Sequence, residues 1–173
     1  IYHTGSFGFR GEAMASIASV AKVEMLSRRP DDLEGTKALA RAGSILEISP
    51  AGAPAGTQIT VTEIFANVPA RRKFLKTEAT EQSACLDAVT RLSLAHPDVR
   101  FVVTADGREA FTAPAVNDVS ERVFRIMGSD FTGHCLTING QRENVRLKGF
   151  ISAPEFTKSN SRGIYLFVNS RFV

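Results

Sequence analysis

The feature that most constrains this chain is a glycine-rich turn that leads directly into a helical pattern, at Ser6–Ile17. Gly8 and Gly11 stand three residues apart and allow backbone dihedrals that other residues reach only with strain. A helix that starts behind such a turn points unpaired amides and the positive end of its dipole outward, which favours an anion such as phosphate. Apolar side chains then recur at helical spacing, at Ala13, Met14, Ile17, Val20 and Ala21. Two glycines at this spacing are also typical of an ordinary tight loop, so the turn alone does not distinguish a phosphate site from such a loop.

The composition of the chain is typical of a folded globular protein. Of its 173 residues, 43% are hydrophobic and 23% are charged, which is typical of a globular domain. No apolar run reaches the roughly 18–20 residues of a membrane span, so we expect no membrane segment. Cys85 and Cys135 have neither metal-binding nor redox spacing and predict two reduced thiols of a cytoplasmic protein. The chain starts at Ile1 and stops at Val173 within a strand-like pattern, so we expect it to be a fragment.

Charge is divided unevenly along the chain. Residues 1–113 carry 13 basic and 13 acidic side chains, whereas residues 114–173 carry eight basic and five acidic side chains. The whole formal charge of +3 therefore lies in the last third. Together with the linker-like stretch 113–117, this division predicts two domains, residues 1–113 and residues 114–173, with different partners.

The patterns between these points predict an α+β fold. Residues 22–27 alternate weakly, and residues 36–41 and 44–49 predict paired strands around Ala42-Gly43. The clean alternation over residues 56–63 predicts a half-buried strand. Helical patterns follow over residues 77–96 and 118–128, and a capping pattern opens the second of them. Asn139-Gly140 predicts a hairpin turn, and the apolar run 163–169 predicts a central strand. This order of elements indicates antiparallel or mixed sheets with helices on one side.

Three stretches, in family order and at family-like spacing, resemble MutL-type DNA mismatch repair proteins of the superfamily that includes gyrase, heat-shock chaperones and histidine kinases. Residues 8–17 resemble the nucleotide-lid motif, Gly-Phe-Arg-Gly-Glu-Ala followed by Met-Ala-Ser-Ile. Residues 56–78 resemble the glycine-threonine strand and the signature Asn-x-Pro-Ala-Arg-Arg-Lys-Phe-Leu, which begins at Asn67. Residues 165–173 resemble a Phe-Val-Asn-Gly-Arg strand, although Ser170 stands where the family usually has glycine.

This resemblance implies a particular architecture and activity. The fold is expected to be the C-terminal part of a two-layer α/β sandwich ATPase domain, followed by the start of a smaller ribosomal-protein-like α/β domain. The implied cofactor is ATP with Mg²⁺, and slow hydrolysis is expected to drive homodimerisation. The implied partners are mismatch-containing DNA, a mismatch-recognition protein and downstream repair enzymes. The intact protein is expected to be bacterial, cytoplasmic and associated with the nucleoid.

The resemblance also assigns residues to these tasks. It places Thr57 at the adenine end of the nucleotide pocket and the ATP phosphates on the amides of the lid motif, at Gly8, Phe9, Arg10, Gly11, Glu12 and Ala13. Three basic residues of the last third are expected to contact the DNA backbone, namely Lys158, Arg162 and Arg171. In the family, the glutamate base, the Mg²⁺-binding asparagine and the adenine-reading aspartate precede the lid motif, and no residue here matches them. We therefore expect no catalytic residue or metal ligand in this fragment, and no ATP hydrolysis by the fragment alone.

Two other functions remain open on the sequence. The first is another ATPase of the same superfamily, such as a type II topoisomerase subunit, which the signature at residues 67–75 disfavours. The second is a non-enzymatic nucleic-acid-binding module built on the C-terminal part alone. ATP-dependent protection of the intact protein from proteolysis distinguishes either ATPase from this module.

Overall fold

The computed structural model of the chain describes residues 12–157 and 163–173. The lid residues Gly8–Gly11 and the basic residues Lys158 and Arg162 lie outside these ranges. The chain divides into two compact units, residues 1–76 and residues 77–173. The boundary between domains at 113/114 lies within the second unit and stays a prediction. No helix among the described residues is long and apolar enough to cross a lipid bilayer.

In its described residues, the first unit consists of a helix, four antiparallel strands that form one sheet, and a second, short helix, in this order along the chain. Its elements are α1 (Ala13–Val20), β1 (Lys22–Arg28), β2 (Gly35–Arg41), β3 (Ser44–Ala51), β4 (Gly56–Thr62) and α2 (Pro69–Arg72). The strands lie in the order β3-β2-β1-β4, so β1 pairs with both β2 and β4. The core of this unit lies where α1 meets β1, and it consists of Ala18, Ala21 and Val23. The four predicted strands and the mixed α and β character are confirmed.

Strand β4 is more exposed than its pattern predicts. The alternation of Thr57, Ile59 and Val61 predicts a half-buried strand, but all seven residues of β4 are exposed. Helix α1 contacts β1 and β2, and β4 is the edge strand on the other side of β1. The apolar positions of β4 therefore lie beside the part of the sheet that α1 mainly covers, which is the physical reason for the difference.

In its described residues, 77–157 and 163–173, the second unit combines three helices with three antiparallel strand pairs. Its elements are α3 (Glu78–Ala95), β5 (Phe101–Ala105), β6 (Arg108–Ala113), α4 (Val119–Met127), α5 (Ser129–Gly133), β7 (Cys135–Arg142), β8 (Val145–Ser152), β9 (Phe167–Val168) and β10 (Arg171–Phe172). Both predicted long helices are confirmed, and α3 ends at Ala95, two residues before Pro97. Asp118 caps α4 as predicted, because its Oδ1 accepts the Ser120 amide at 3.0 Å. The hydroxyl and the amide of Ser120 both donate to Asp118 and lower the pKa of its carboxyl group.

Two predictions in this unit are wrong in detail. Asn139-Gly140 lies inside β7, and the hairpin turn is Glu143-Asn144, where Glu143 has a φ of 51°. The pairing of β7 with β8 along their whole length fixes this register and outweighs the turn preference of one dipeptide. The run 163–169 forms only the two-residue strand β9, which pairs with β10 and with no other described strand. A central strand has a paired strand on each side, and among the described strands β9 pairs only with β10. The prediction of a central strand is therefore wrong for the described residues.

Candidate functional site

The described part of the predicted phosphate site is the beginning of α1. Glu12 is the N-cap residue and Ala13 is the first helical residue, and both are exposed. The Ser16 amide donates to the Glu12 carbonyl at 2.9 Å, which opens the helical hydrogen-bond ladder. The amides of residues 13–15 therefore have no acceptor within the helix. Glu12 is acidic, but the first turn after it carries no acidic side chain, and its free amides can donate to a phosphate group.

The other end of α1 is held by three donors from outside the helix. The carbonyls of its last three residues each accept one hydrogen bond, Ala18 from the Gly43 amide at 2.9 Å, Ser19 from Asn67 Nδ2 at 2.8 Å and Val20 from the Phe65 amide at 2.7 Å. Ala21 is extended, with a φ of −147°, so the helix stops abruptly. The external donors satisfy carbonyls that an abrupt helix end leaves without intrahelical partners. They fix this end of α1 to the β2–β3 turn and to the segment that follows β4.

Thr57 stands near the start of β4, opposite Ser27 of β1. Their hydroxyl oxygens are 2.7 Å apart, and either hydroxyl can donate the hydrogen bond. The pair lies at the far end of β1 from Lys22, the residue with which the strand begins after α1. The structure thus joins Thr57 to Ser27, and it places the fixed end of α1 at the opposite end of the same strand.

The connection that leads into Thr57 is held in a defined conformation. Arg28 Nε donates to the Ala53 carbonyl at 2.7 Å, and its Nη1 donates to the Asp32 carbonyl at 2.6 Å. One arginine therefore ties the β3–β4 connection to the β1–β2 connection. Gly56 has a φ of +123°, which L side chains rarely adopt, so a glycine is required directly before Thr57.

Of the three predicted DNA-contacting residues, the structure describes Arg171. This residue is half-buried in β10, opposite Val168 of β9. The neighbouring Phe172 lies under the guanidinium of Arg91, whose central carbon is 4.3 Å from the ring centroid. A separate basic segment, defined here as residues 71–76 and including Arg71, Arg72, Lys73 and Lys76, is exposed after β4. Partial burial makes Arg171 less suited to a backbone phosphate contact than these exposed side chains.

The sequence did not predict three residues that join distant parts of the chain, Ser27, Asn67 and Arg122. Ser27 and Asn67 contact residues 30 and 48 positions away, so no local pattern reports their contacts. Arg122 is fully buried, and a signal for it does exist. It falls three residues after Val119 and four before Ile126, within the apolar stripe of α4.

The second unit contains a cavity of about 410 Å³, and none of the predicted site residues that the structure describes lines it. It is lined by Thr90, Phe111, Thr112, Arg125, Ile126, Met127, Gly163 and Tyr165. Burial raises the pKa of the Tyr165 hydroxyl. Among the residues that the structure describes, no three His, Cys, Asp or Glu side chains come together as a metal site.

Comparison with known proteins gives one consistent family. Residues 123–173 match the family model of the DNA mismatch repair protein C-terminal domain. The chain is 49% identical over 173 residues to the DNA mismatch repair protein MutL of Syntrophus aciditrophicus, with 100% of the chain and 28% of that protein covered. It is 43% identical over 171 residues to MutL of Neisseria meningitidis serogroup C, with 99% of the chain and 26% of that protein covered.

A solved structure agrees with these relatives. The Aquifex aeolicus MutL ATPase domain complexed with ADP superposes with a TM-score of 0.77 at 32% identity, covering 95% of this chain and 63% of that chain. The chain spans about a quarter of the length of the two curated relatives. Sequence similarity extends over the whole chain, and structural similarity extends over nearly all of it. The chain therefore belongs to the MutL family of DNA mismatch repair proteins.

Proposed function

We propose that this chain is part of an ATPase in which the lid motif and the first turn of α1 bind the phosphates of ATP with Mg²⁺. The observation that carries this proposal is the similarity to the Aquifex aeolicus MutL ATPase domain, whose structure contains ADP. The exposed first turn of α1, without an acidic side chain, supports it because such a helix end attracts phosphate.

In this proposal the amides of residues 8–13 bind the β- and γ-phosphates. Glu12 opens the helix, and Arg10 faces either a phosphate or a carboxylate. Thr57 lies at the adenine end of the pocket, where its hydrogen bond to Ser27 orients the hydroxyl. Bound ATP supplies the phosphoryl group that is transferred to water. We assign the general base and the Mg²⁺ ligands to other parts of the intact protein, because no residue of this chain matches them.

Nucleotide binding is proposed to control assembly. The ATP-bound form is the state that homodimerises, engages mismatch-containing DNA and recruits a mismatch-recognition protein and downstream repair enzymes. Lys158 and Arg162 are assigned to the DNA backbone as phosphate-neutralising charges, without base readout, and the half-buried Arg171 is the weaker candidate for this role.

The phosphate assignment is tested by Gly11→Val in the intact protein. A branched side chain cannot follow a glycine-specific backbone and crowds the phosphates, so we expect ATP affinity to fall by about tenfold or more, or about 1.4 kcal/mol. Titration calorimetry measures the affinity, and circular dichroism reports whether the variant is folded.

The matched control is Gly140→Val. Gly140 lies in β7, and a Cβ added there meets no atom within 4 Å, so the same substitution should leave ATP affinity unchanged. Wild-type ATP affinity in a folded Gly11→Val variant would falsify the phosphate assignment.

A further inference from the structure

Helix α1 is held by hydrogen bonds at its C-terminal end. Of its eight residues Ala18 is buried, whereas Met14 and Ile17 keep 36% and 37% of their surface exposed. Side-chain packing is therefore densest at the C-terminal end of the helix, where Ala18 lies beside Ala21 and Val23 of the core. The three hydrogen bonds to the Ala18, Ser19 and Val20 carbonyls fix the helix at this same end.

Two of these three donors belong to one short segment after β4. The Phe65 amide and the Asn67 side chain bind adjacent carbonyls, those of Val20 and Ser19. Of the three donors, Asn67 is the only one that uses a side chain. Its contact therefore depends on the identity of the residue, whereas the other two contacts use backbone amides.

This segment is itself fixed in an unusual conformation. Glu63 and Phe65 have φ values of 54° and 58°, in the left-handed region that residues other than glycine rarely adopt. The Glu63 carboxylate accepts a hydrogen bond from Arg41 Nη2 at 2.6 Å, which ties the segment to β2. The Val68 amide donates to the Phe65 carbonyl at 3.1 Å and closes the turn that carries Asn67. The segment thus presents the Asn67 amide to α1 from a preformed turn.

We propose that Asn67 is a positioning residue for nucleotide binding, acting through α1. Its hydrogen bond to the Ser19 carbonyl fixes one end of a rigid helix, and the phosphates bind at the other end. The proposal rests on the proposed function, which assigns the phosphates to the amides of residues 8–13, the last of which begins α1. A helix of eight residues is about 12 Å long, so a small tilt at its fixed end displaces the amides at its free end. Phosphate binding by backbone amides tolerates little displacement, because each hydrogen bond weakens steeply with distance and angle.

The chemistry of the contact explains why an asparagine suits this position. The amide donates to a helix C-terminal carbonyl, which carries the negative end of the helix dipole. An aspartate has no proton to donate at neutral pH and would place a second negative charge against that carbonyl. Asn67→Asp therefore reverses the interaction with almost no change in size, and Asn67→Ala removes it.

Both variants are tested in the intact protein, by titration calorimetry with ATP at a temperature where circular dichroism shows each variant to be folded. We expect Asn67→Ala to weaken ATP binding by about tenfold, since loosening a binding group by about an ångström has effects of this order or larger. Asn67→Asp should weaken it further, because repulsion is added to the lost hydrogen bond.

Two controls separate positioning from other effects. Asn144→Asp makes the same chemical change in the exposed β7–β8 turn and should leave ATP affinity unchanged. Leu94→Ala removes a buried side chain from the other compact unit and reports how far general destabilisation weakens binding. The inference is overturned if the folded Asn67 variants bind ATP like the wild type, or lose no more affinity than Leu94→Ala does. If Gly11→Val also binds ATP normally, then the proposed function itself has failed.

Discussion

At the scale of single residues, Ser170 stands out because its backbone conformation does not suit its side chain. The two residues between β9 and β10, Asn169 and Ser170, have φ values of 49° and 62°. A two-residue hairpin loop with both values positive is a type I′ turn, in which Asn-Gly is the preferred pair. This chain keeps the asparagine and places serine where MutL proteins usually have glycine, so its Cβ is held close to a carbonyl oxygen.

We therefore predict that Ser170→Gly stabilises the protein. Glycine adopts a positive φ without the steric cost, so the free energy of unfolding should rise by about 1 kcal/mol. Urea-induced unfolding of the variant and the wild type, followed by circular dichroism, measures the difference. The control is Ser44→Gly on the exposed strand β3, where glycine should lower stability because strand geometry suits it poorly. Equal signs for the two substitutions would contradict the conformational argument.

How well single residues can be predicted depends on how far apart in the chain the contacting partners lie. Asp118 was identified from the sequence because it caps an amide two residues away, and the local pattern carries that contact. The Asn67–Ser19 contact spans 48 residues and exists only because β1 to β4 fold between the two partners. Thr57 was predicted at the start of its strand, but its partner Ser27 required the register of β1 with β4.

At the scale of elements, Arg122 organises the second unit from within α4. Its side chain is fully buried and donates to four backbone carbonyls, those of Ser93 (2.7 Å), Pro97 (2.9 Å), Val99 (2.8 Å) and Pro114 (2.6 Å). These carbonyls belong to the end of α3, to the connection towards β5 and to the stretch after β6. Burial lowers the pKa of the Arg122 guanidinium, but an arginine side chain stays charged at neutral pH. One planar cation thus joins three chain segments to α4.

We predict that Arg122→Met is strongly destabilising. Methionine fills similar space but leaves four carbonyls without their donor, and we expect a loss of about 3 kcal/mol or more in the free energy of unfolding. Arg122→Lys keeps the charge but cannot reach all four acceptors, so it should fall between the wild type and Arg122→Met. Urea unfolding of these variants measures the losses.

The matched control for this prediction is Arg125→Met, one turn along the same helix. Arg125 is exposed and pairs with Glu121 at 3.4 Å, a contact that contributes less than about 1 kcal/mol at a surface. Comparable losses for the two arginines would mean that the buried carbonyl contacts do not determine the stability of this unit.

Elements themselves were predicted better than their connections. The helices α3 and α4 follow from local signals, namely a proline just after α3, and a capping residue before and a glycine after α4. The β7–β8 hairpin was predicted, but its turn was placed four residues too early. A turn dipeptide contributes a local preference, whereas register is a property of the whole strand pair, and here Leu136–Ile151 and Arg142–Val145 pair in a single register.

At the scale of the whole molecule, packing and composition divide the chain at different places. The boundary between the two compact units falls between residues 76 and 77 of the sequence, whereas the charge distribution and the linker-like stretch suggest a domain boundary at 113/114. Arg122 shows why the residues on both sides of the predicted boundary at 113/114 pack together. Its side chain donates to the carbonyls of Ser93 and Val99 before this boundary and of Pro114 after it. Composition along a chain reports solvent and partner preferences, and it does not report a buried side chain that reaches back 29 residues.

The charge division gives the last prediction, which concerns DNA. The excess of three positive charges lies in residues 114–173, and Lys158 and Arg162 are the basic residues assigned there to the DNA backbone. In the intact protein, Lys158→Glu or Arg162→Glu should weaken binding to matched and mismatched duplexes equally, because a phosphate contact carries no sequence information. Each lost contact should also reduce the slope of log affinity against log salt concentration by about 0.9, since one fewer counterion is released. Equilibrium binding at several salt concentrations measures both quantities.

Arg108→Glu, on the exposed β6 of the charge-balanced part, is the control and should leave the slope unchanged. An unchanged slope in the Lys158 and Arg162 variants would show that these side chains face solvent rather than DNA.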